Sequence, residues 1–370
     1  MVLLLELARG IAALWVFFFH VKPIFEASSP LIYALSAYGS LGVPMFFVIS
    51  GYVITYSAES NLENKKSPFT FLKSRFLRIY PTFWASVVVV LVVPYVIELI
   101  SSLKSGSYTA PDNIVLSYSF GEWANFLLLS KIFWATSNDL QAEFNAINAV
   151  YWTLAIEFQF YLIVFFALLF KCYYKYVIGA VSIFSIMAII FGLKLNDGLF
   201  INYWPSFLVG VVLAYLHRNG IWINFFIKNM ASQLVALFAA AMLIICSVVF
   251  DQYRIFFAAS FGVFLWVISD IENVLNKVMW GKNLLTYWLL KPWLVLGAMS
   301  YSVYLLHGKI YQLPNMFVRQ MVDPDSVIFG MLTIVATLGI CYLFYCFIES
   351  RFLSRNYKQM QDGLLKNNQA

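Results

Sequence analysis

Residues 6–20 read ELARGIAALWVFFFH, and this stretch decides how the chain is to be read. Arg9 and His20 sit in a segment otherwise apolar enough to cross a membrane. At roughly 100° per residue, the steps between them come to about 20° beyond three full turns. Both side chains therefore leave a helix on nearly the same face, about 16 Å apart along its axis. An ionisable residue at the centre of a span costs roughly 2.5 to 3.5 kcal/mol on insertion scales, and such residues face the protein interior and mark functional sites.

The rest of the chain has the same character. It is 62% hydrophobic and 11% charged, against about 25% charged in ordinary soluble domains. Apolar stretches recur to the end, so the expected fold is all-α: a polytopic membrane helix bundle forming one domain over residues 1–350, with a tail at 351–370. Ten spans can be drawn, at 3–21, 41–58, 82–100, 150–170, 174–193, 199–217, 231–250, 255–269, 293–313 and 327–348. The stretch FGEWANFLLLSKIFWA at 120–135 is apolar but interrupted by charges, and reads as an interfacial or re-entrant helix. Met1 leads straight into an apolar helix without a basic leader or a small-residue cleavage site, so the first span is expected to be retained. Cys246, Cys341 and Cys346 fall inside apolar spans and Cys172 at a span end, a pattern of packing residues, and no metal site is expected.

Loop charges give an orientation. With the N-terminus cytoplasmic, the inside loops hold Lys65, Lys66, Lys73, Arg75, Arg78, Lys171, Lys175, Arg218, Lys228, Lys277, Lys282 and Lys291. The tail adds Arg351, Arg355, Lys358 and Lys366, while the outside loops hold only Lys22, Lys104, Lys131, Lys194, Arg254 and Arg319. This bias predicts both termini inside and an even number of spans. The net charge of +6 is then mostly inside bias, and no nucleic-acid partner is implied. The long outside loop 101–149, with Asp112, Glu122, Asp139 and Glu143, is either the lining of an acceptor groove or a solvated tether.

On this topology His20, Glu157 and His307 fall at one depth in the outer half of the membrane. A histidine titrates near neutral pH and serves as a general base, and a carboxylate nearby can orient it. Arg9 lies toward the cytoplasmic end and keeps its charge, so its natural partner is an anion, either a ligand or Glu6. In FLKSRFLRIYPTFW (71–84), Arg75 and Arg78 are spaced i, i+3 on one helix face with Lys73 nearby. Such a cationic patch binds lipid headgroups or the phosphates of a soluble donor.

Five motifs, ELARGIAALWVFFFH, GVPMFFVISGYVIT, FLKSRFLRIYPTFW, YWTLAIEFQFYL and LGAMSYSVYLLHG, occur in an order and spacing that resemble the membrane acyltransferase 3 family over about residues 5–350. The resemblance implies a ten-helix O-acyltransferase of the inner (cytoplasmic) membrane. It would have no bound cofactor and use an acyl-CoA, usually acetyl-CoA, as co-substrate. The acceptor it implies is a lipid-linked or exported cell-surface glycan. Carried over by position, His20, Glu157 and His307 become the catalytic candidates, and Arg9, Arg75 and Arg78, with Lys73, the donor-binding ones. Trp152, Tyr161, Ser50 and Tyr304 lie in the same motifs as supporting residues. The family often has aspartate and glycine where this chain has Glu6 and Leu7. The periplasmic SGNH hydrolase-like domain of some members has no expected counterpart, which leaves room for a separate periplasmic partner. The expected chemistry has Arg75 and Arg78 on the donor phosphates and Arg9 guiding the thioester arm. His20 deprotonates the acceptor hydroxyl with Glu157 or His307 supporting it, or is itself acylated. The rival from another class is a transporter or flippase for a lipid-linked sugar, with the same residues lining a substrate path.

Overall fold

Backbone polar groups in hydrocarbon must be satisfied within the segment, which leaves helices as the local solution for these apolar runs. The computed structural model describes residues 2–111, 114–134, 144–193, 195–220, 234, 237–242, 244–245, 253–269, 271–280 and 284–353. Among the described residues the regular structure is helical throughout, with no strand. The helices that position the site are α1 (Val2–Val21), α2 (Pro30–Ala37), α3 (Gly42–Glu63), α4 (Pro68–Ser105), α5 (Phe120–Leu127), α6 (Trp152–Leu169) and α7 (Tyr174–Ile190). They are followed by α8 (Trp204–Arg218), α9 (Tyr253–Val267), α10 (Ile271–Trp280), α11 (Leu284–Ala298), α12 (Ser300–Ile310), α13 (Gln312–Val318) and α14 (Val327–Phe347).

This is a multi-pass membrane protein. Among the described residues, six helical stretches are long and apolar enough to span: Leu3–Phe25, Pro30–Glu63, Pro68–Ser105, Ala149–Leu169, Lys171–Ile190 and Val327–Phe352. The pair Leu289–Ala298 and Ser300–Ile310, bent by 75°, makes a seventh if taken as one broken span. The sequence-based segmentation differs from this in three places. The span expected at 199–217 is shortened to the 15-residue α8, because Gln159 of α6 donates to the Gly198 carbonyl (2.8 Å) and accepts from Phe200 N–H (2.9 Å), tying down the preceding chain as turns. The span at 293–313 is broken at Met299, and the segment drawn as a span at 255–269 is a helix of that same 15-residue length, Tyr253–Val267, too short to count among the spanning stretches. The span drawn at 231–250 lies mostly outside the described residues, as do residues 354–370 of the expected tail. The third expected span is the C-terminal part of α4, a 38-residue helix, so Arg75 and Arg78 ride on the same helix as that apolar stretch.

α1 is central, packed against α3, α11 and α12. Two close crossings bring the backbones together. α3 meets α8 at Gly51 and Gly210, where an added Cβ would overlap the Phe207 and Val48 carbonyls, and α11 meets α1 at Gly297, where it would overlap the Glu6 carbonyl. Small residues at such crossings let helices pack by dispersion where no hydrophobic force separates protein from lipid. Gly210→Val is therefore expected to destabilise the bundle by more than the roughly 1–3 kcal/mol of ordinary overpacking, since backbone cannot step aside. Gly179→Ala, in α7 with open space around it, should be neutral or raise stability by about 0.5–1 kcal/mol. Thermal unfolding of the two variants in detergent checks both, and equal melting temperatures would contradict the crossing.

The amphipathic stretch near 120 forms α5, which lies against α4 through Tyr80 OH donating to the Leu128 carbonyl (3.0 Å) and Trp84 Nε1 to the Leu127 carbonyl (3.0 Å). Ser119 and Glu122 form a reciprocal capping box at its start, and the Ser119 backbone and side-chain donors hold the Glu122 carboxyl below its ordinary range.

Candidate active site

The break after Met299 restarts the chain as α12, which carries Tyr304 and His307 inward. Four bonds fix that helix. Asn148 Nδ2 donates to the Leu305 carbonyl (2.9 Å), Tyr304 OH donates to the Val150 carbonyl (2.7 Å), and the buried Glu349 carboxylate accepts from Ser302 N–H (3.0 Å) and Ser302 Oγ (2.5 Å). Thr153 Oγ1 also bonds Tyr304 OH. His307 is fully buried, with Nδ1 at 2.9 Å from the Val303 carbonyl. A carbonyl can only accept, so Nδ1 carries the proton and Nε2 is left as a lone pair. Nε2 is buried and has no hydrogen-bond partner among the described residues.

His20, at the far end of α1, meets this ring. The His20 and His307 centroids are 5.0 Å apart in an edge arrangement, and His307 also touches Phe17 (5.6 Å) and Tyr304 (5.8 Å). His20 lines a small pocket of about 30 Å³ with Ser40, Val43, Val150, Trp152, Arg254 and Tyr304. Trp152 is fixed there against Tyr203, centroids 5.4 Å apart.

The other half of the bundle holds a much larger cavity, about 660 Å³, within the range typical of small-molecule sites. Its walls come from the start of α1 (Glu6, Arg9), the middle and end of α3 (Ser50, Tyr52, Tyr56) and the first turns of α4 (Arg75, Arg78). Glu157 and Tyr161 of α6, His217 of α8, Tyr301 and Tyr304 of α12, and Phe352 and Leu353 complete them. Val43 and Tyr304 line both this cavity and the His20 pocket.

The three arginines are held differently. Arg9 Nη1 is 3.5 Å from Glu6 Oε1, one turn back on α1. Arg78 Nη1 is 3.1 Å from Glu349 Oε1, in a pair whose alignment falls outside hydrogen-bond geometry, and its guanidinium lies 5.7 Å from the Tyr301 ring. Arg75 sits between the rings of Phe71 (5.4 Å) and Tyr161 (5.9 Å). Its Nε is buried without a hydrogen-bond partner, and among the described residues it makes no ion pair. Glu157 faces the same space, its Oε1 accepting from Ser50 Oγ (2.7 Å) and Tyr161 OH (2.8 Å). Lys73 is exposed and does not line the cavity.

The structure thus brings together Arg9, Arg75, Arg78, Glu157, Ser50, Tyr161 and Tyr304 around one cavity and sets His20 with His307 beside it. The candidate catalytic side chain that contacts the His20 ring is His307, whereas Glu157 is engaged by Ser50 and Tyr161. Sequence reasoning missed Glu349, Thr153, Tyr52 and His217. Tyr52 OH and His217 Nδ1 share a 2.5 Å hydrogen bond in the cavity wall. Glu349 had one signal, an acid directly after the apolar run of the last span, which reads as a boundary residue until the fold buries it.

A family profile described as "Acyltransferase domain" matches residues 3–346. The chain is 26% identical over 361 aligned positions to the O-acetyltransferase OatA of Staphylococcus aureus (strain NCTC 8325 / PS 47), covering 89% of this chain and 55% of that protein. A second protein of Staphylococcus aureus (strain COL), provisionally named an O-acetyltransferase, is 24% identical over 379 positions, covering 95% of this chain and 57% of its own length. The chain therefore spans somewhat more than half the length of these relatives. No solved structure matches it. With the profile matched over nearly its whole length, the chain belongs to the acyltransferase 3 family.

Proposed function

We propose that this protein is an O-acetyltransferase of the cytoplasmic membrane. In this reading it takes acetyl from acetyl-CoA in the large cavity and passes it to a hydroxyl of a lipid-linked or exported cell-surface glycan at His20. The observation that carries the reading is the cavity with Arg9, Arg75 and Arg78 in its wall, separated from the His20 pocket by the shared residue Tyr304. Guanidinium groups match phosphate oxygens by forked hydrogen bonds, and the basic bias of the loops supports a cytoplasmic position for this end of the bundle, the side that acetyl-CoA would reach. The relatives' names support acetyl as the group transferred.

The step balances without a resident cofactor. The acceptor oxygen attacks the thioester carbonyl while His20 takes the hydroxyl proton. The tetrahedral intermediate expels the thiolate of coenzyme A, and the histidinium returns its proton to that sulfur. His307, bonded through Nδ1 to the Val303 carbonyl, packs its ring edge-on against His20 and holds that base in place. Ten spans with both termini inside, and a periplasmic partner for the exported acceptor, belong to the same reading.

The test uses membrane vesicles carrying the protein, [14C]acetyl-CoA on the cytoplasmic side and the host's envelope glycan as acceptor. Label in the glycan that depends on the protein is the expected result. Absence of label alongside movement of lipid-linked saccharide would replace the enzyme by a flippase.

A further inference from the structure

Arg78 of the cavity wall faces the buried Glu349, with Nη1 3.1 Å from Oε1. Glu349 is fully buried, and Arg78 is about one-fifth exposed. Glu349 opens the turn Glu349–Phe352 after the last span, and that turn supplies Phe352 and Leu353 to the cavity wall. One carboxylate oxygen faces Arg78 and the other accepts both donors of Ser302. Ser302 lies in the first turn of α12, where N–H groups have no intrahelical partner. Met299, which precedes the helix, gives it no side-chain cap. Glu349 is therefore a cap from outside the helix, and its charge also faces the positive end of the helix dipole.

We propose that Glu349 is a positioning residue for the transfer step. It couples the donor-side arginine Arg78 to the helix that presents Tyr304 and His307, so that the donor cradle and the histidine pair hold one register. The inference rests on the acetyltransferase reading for its kinetic readout. The physical argument is the cost of separating the partners. In a low-dielectric interior, removal of one member of a buried pair leaves an uncompensated charge, whereas removal of both is far better tolerated. Glu349→Gln keeps an acceptor for Ser302 but loses the charge that Arg78 faces. Arg78→Gln leaves the carboxylate buried without its counter-ion.

The experiment is a double-mutant cycle on the full chain in nanodiscs, with wild type, R78Q, E349Q and R78Q/E349Q. E349Q is expected to lower kcat at least 10-fold while KM for acetyl-CoA stays within about threefold, because the cavity keeps its arginines and loses the alignment of α12. The double variant is expected to be at least 10-fold more active than the product of the two single effects. Melting temperatures of the four proteins should show the same non-additivity. Effects that simply multiply, or an E349Q protein with wild-type kcat, overturn the coupling. A KM change in E349Q as large as its kcat change overturns the positioning role and makes Glu349 part of the donor site. Should wild type transfer no acetyl group from acetyl-CoA, the proposed function fails on its own, and the melting temperatures still decide whether Arg78 and Glu349 are coupled.

Discussion

Replacing His20 with alanine is expected to cut acetyl transfer by about 10²- to 10⁴-fold, the usual contribution of a positioned general base, while the protein stays inserted at the wild-type level. His20 is the ionisable side chain that combines access to the small pocket with ring contact to a second histidine. Its neighbour cannot substitute for it. The His307 Nδ1 proton is committed to the Val303 carbonyl and the ring is fully enclosed. His307→Ala should therefore weaken transfer, by removing the ring packed against His20, without abolishing it. The measurement is the initial rate of label transfer from [14C]acetyl-CoA into envelope glycan, normalised to protein in the membrane. Chemical rescue separates chemistry from folding. Alanine at position 20 opens the pocket by the volume of an imidazole ring, so millimolar imidazole should restore part of the H20A rate. Full activity in H20A removes His20 from the reaction. A labelled protein that survives denaturation and disappears in H20A would instead identify the acyl-histidine route.

The length of α1 and the pair it carries were legible because both signals are local: an apolar run sets the helix, and the helical period sets which side chains share a face. The arginine spacing on α4 was legible for the same reason. What the sequence left hidden depends on contacts between distant segments. The bend at Met299 has no proline or glycine at the break itself and follows from bonds made by Asn148, Val150 and Glu349, each far from α12 in the chain. Glu349 falls between the last span drawn, at 327–348, and the tail drawn at 351–370, where local sequence assigns it no role, and it is the turn Glu349–Phe352 that buries it. Depth alone grouped Glu157 with the histidines, but depth fixes height in the bundle and not the direction around it. Ser50 and Tyr161 turn that carboxylate toward the arginine-lined cavity. Lys73 shows the same limit from the other side, because proximity in sequence to Arg75 carries it to the outer face of the helix.

Arg75→Ala is expected to raise KM for acetyl-CoA by about 10- to 100-fold, the equivalent of one charge-assisted hydrogen bond, with kcat at saturating donor retained within a few-fold. The reason lies in how the three cavity arginines are committed. Arg9 is partnered by Glu6, and Arg78 is partnered by Glu349. Arg75 is held by two aromatic faces, which fix its plane without neutralising its charge, and its Nε lacks a hydrogen-bond partner. An incoming phosphate thus meets one guanidinium already oriented and not already paired, so binding there needs no ion pair to be broken. The nearby Glu157 sharpens the prediction, since it is engaged by Ser50 and Tyr161 and does not close on Arg75 as a salt bridge. Arg75→Lys keeps the charge and loses the fork, so it should fall between wild type and alanine. Lys73→Ala, on the exposed face, should change KM less than any of these. Steady-state rates over a range of acetyl-CoA concentrations, with free coenzyme A as a competitive inhibitor, give the comparison. The inhibition constant should rise in parallel with KM, because phosphate binding is common to both ligands. An unchanged KM together with an unchanged inhibition constant in Arg75→Ala would move the donor phosphates away from this residue.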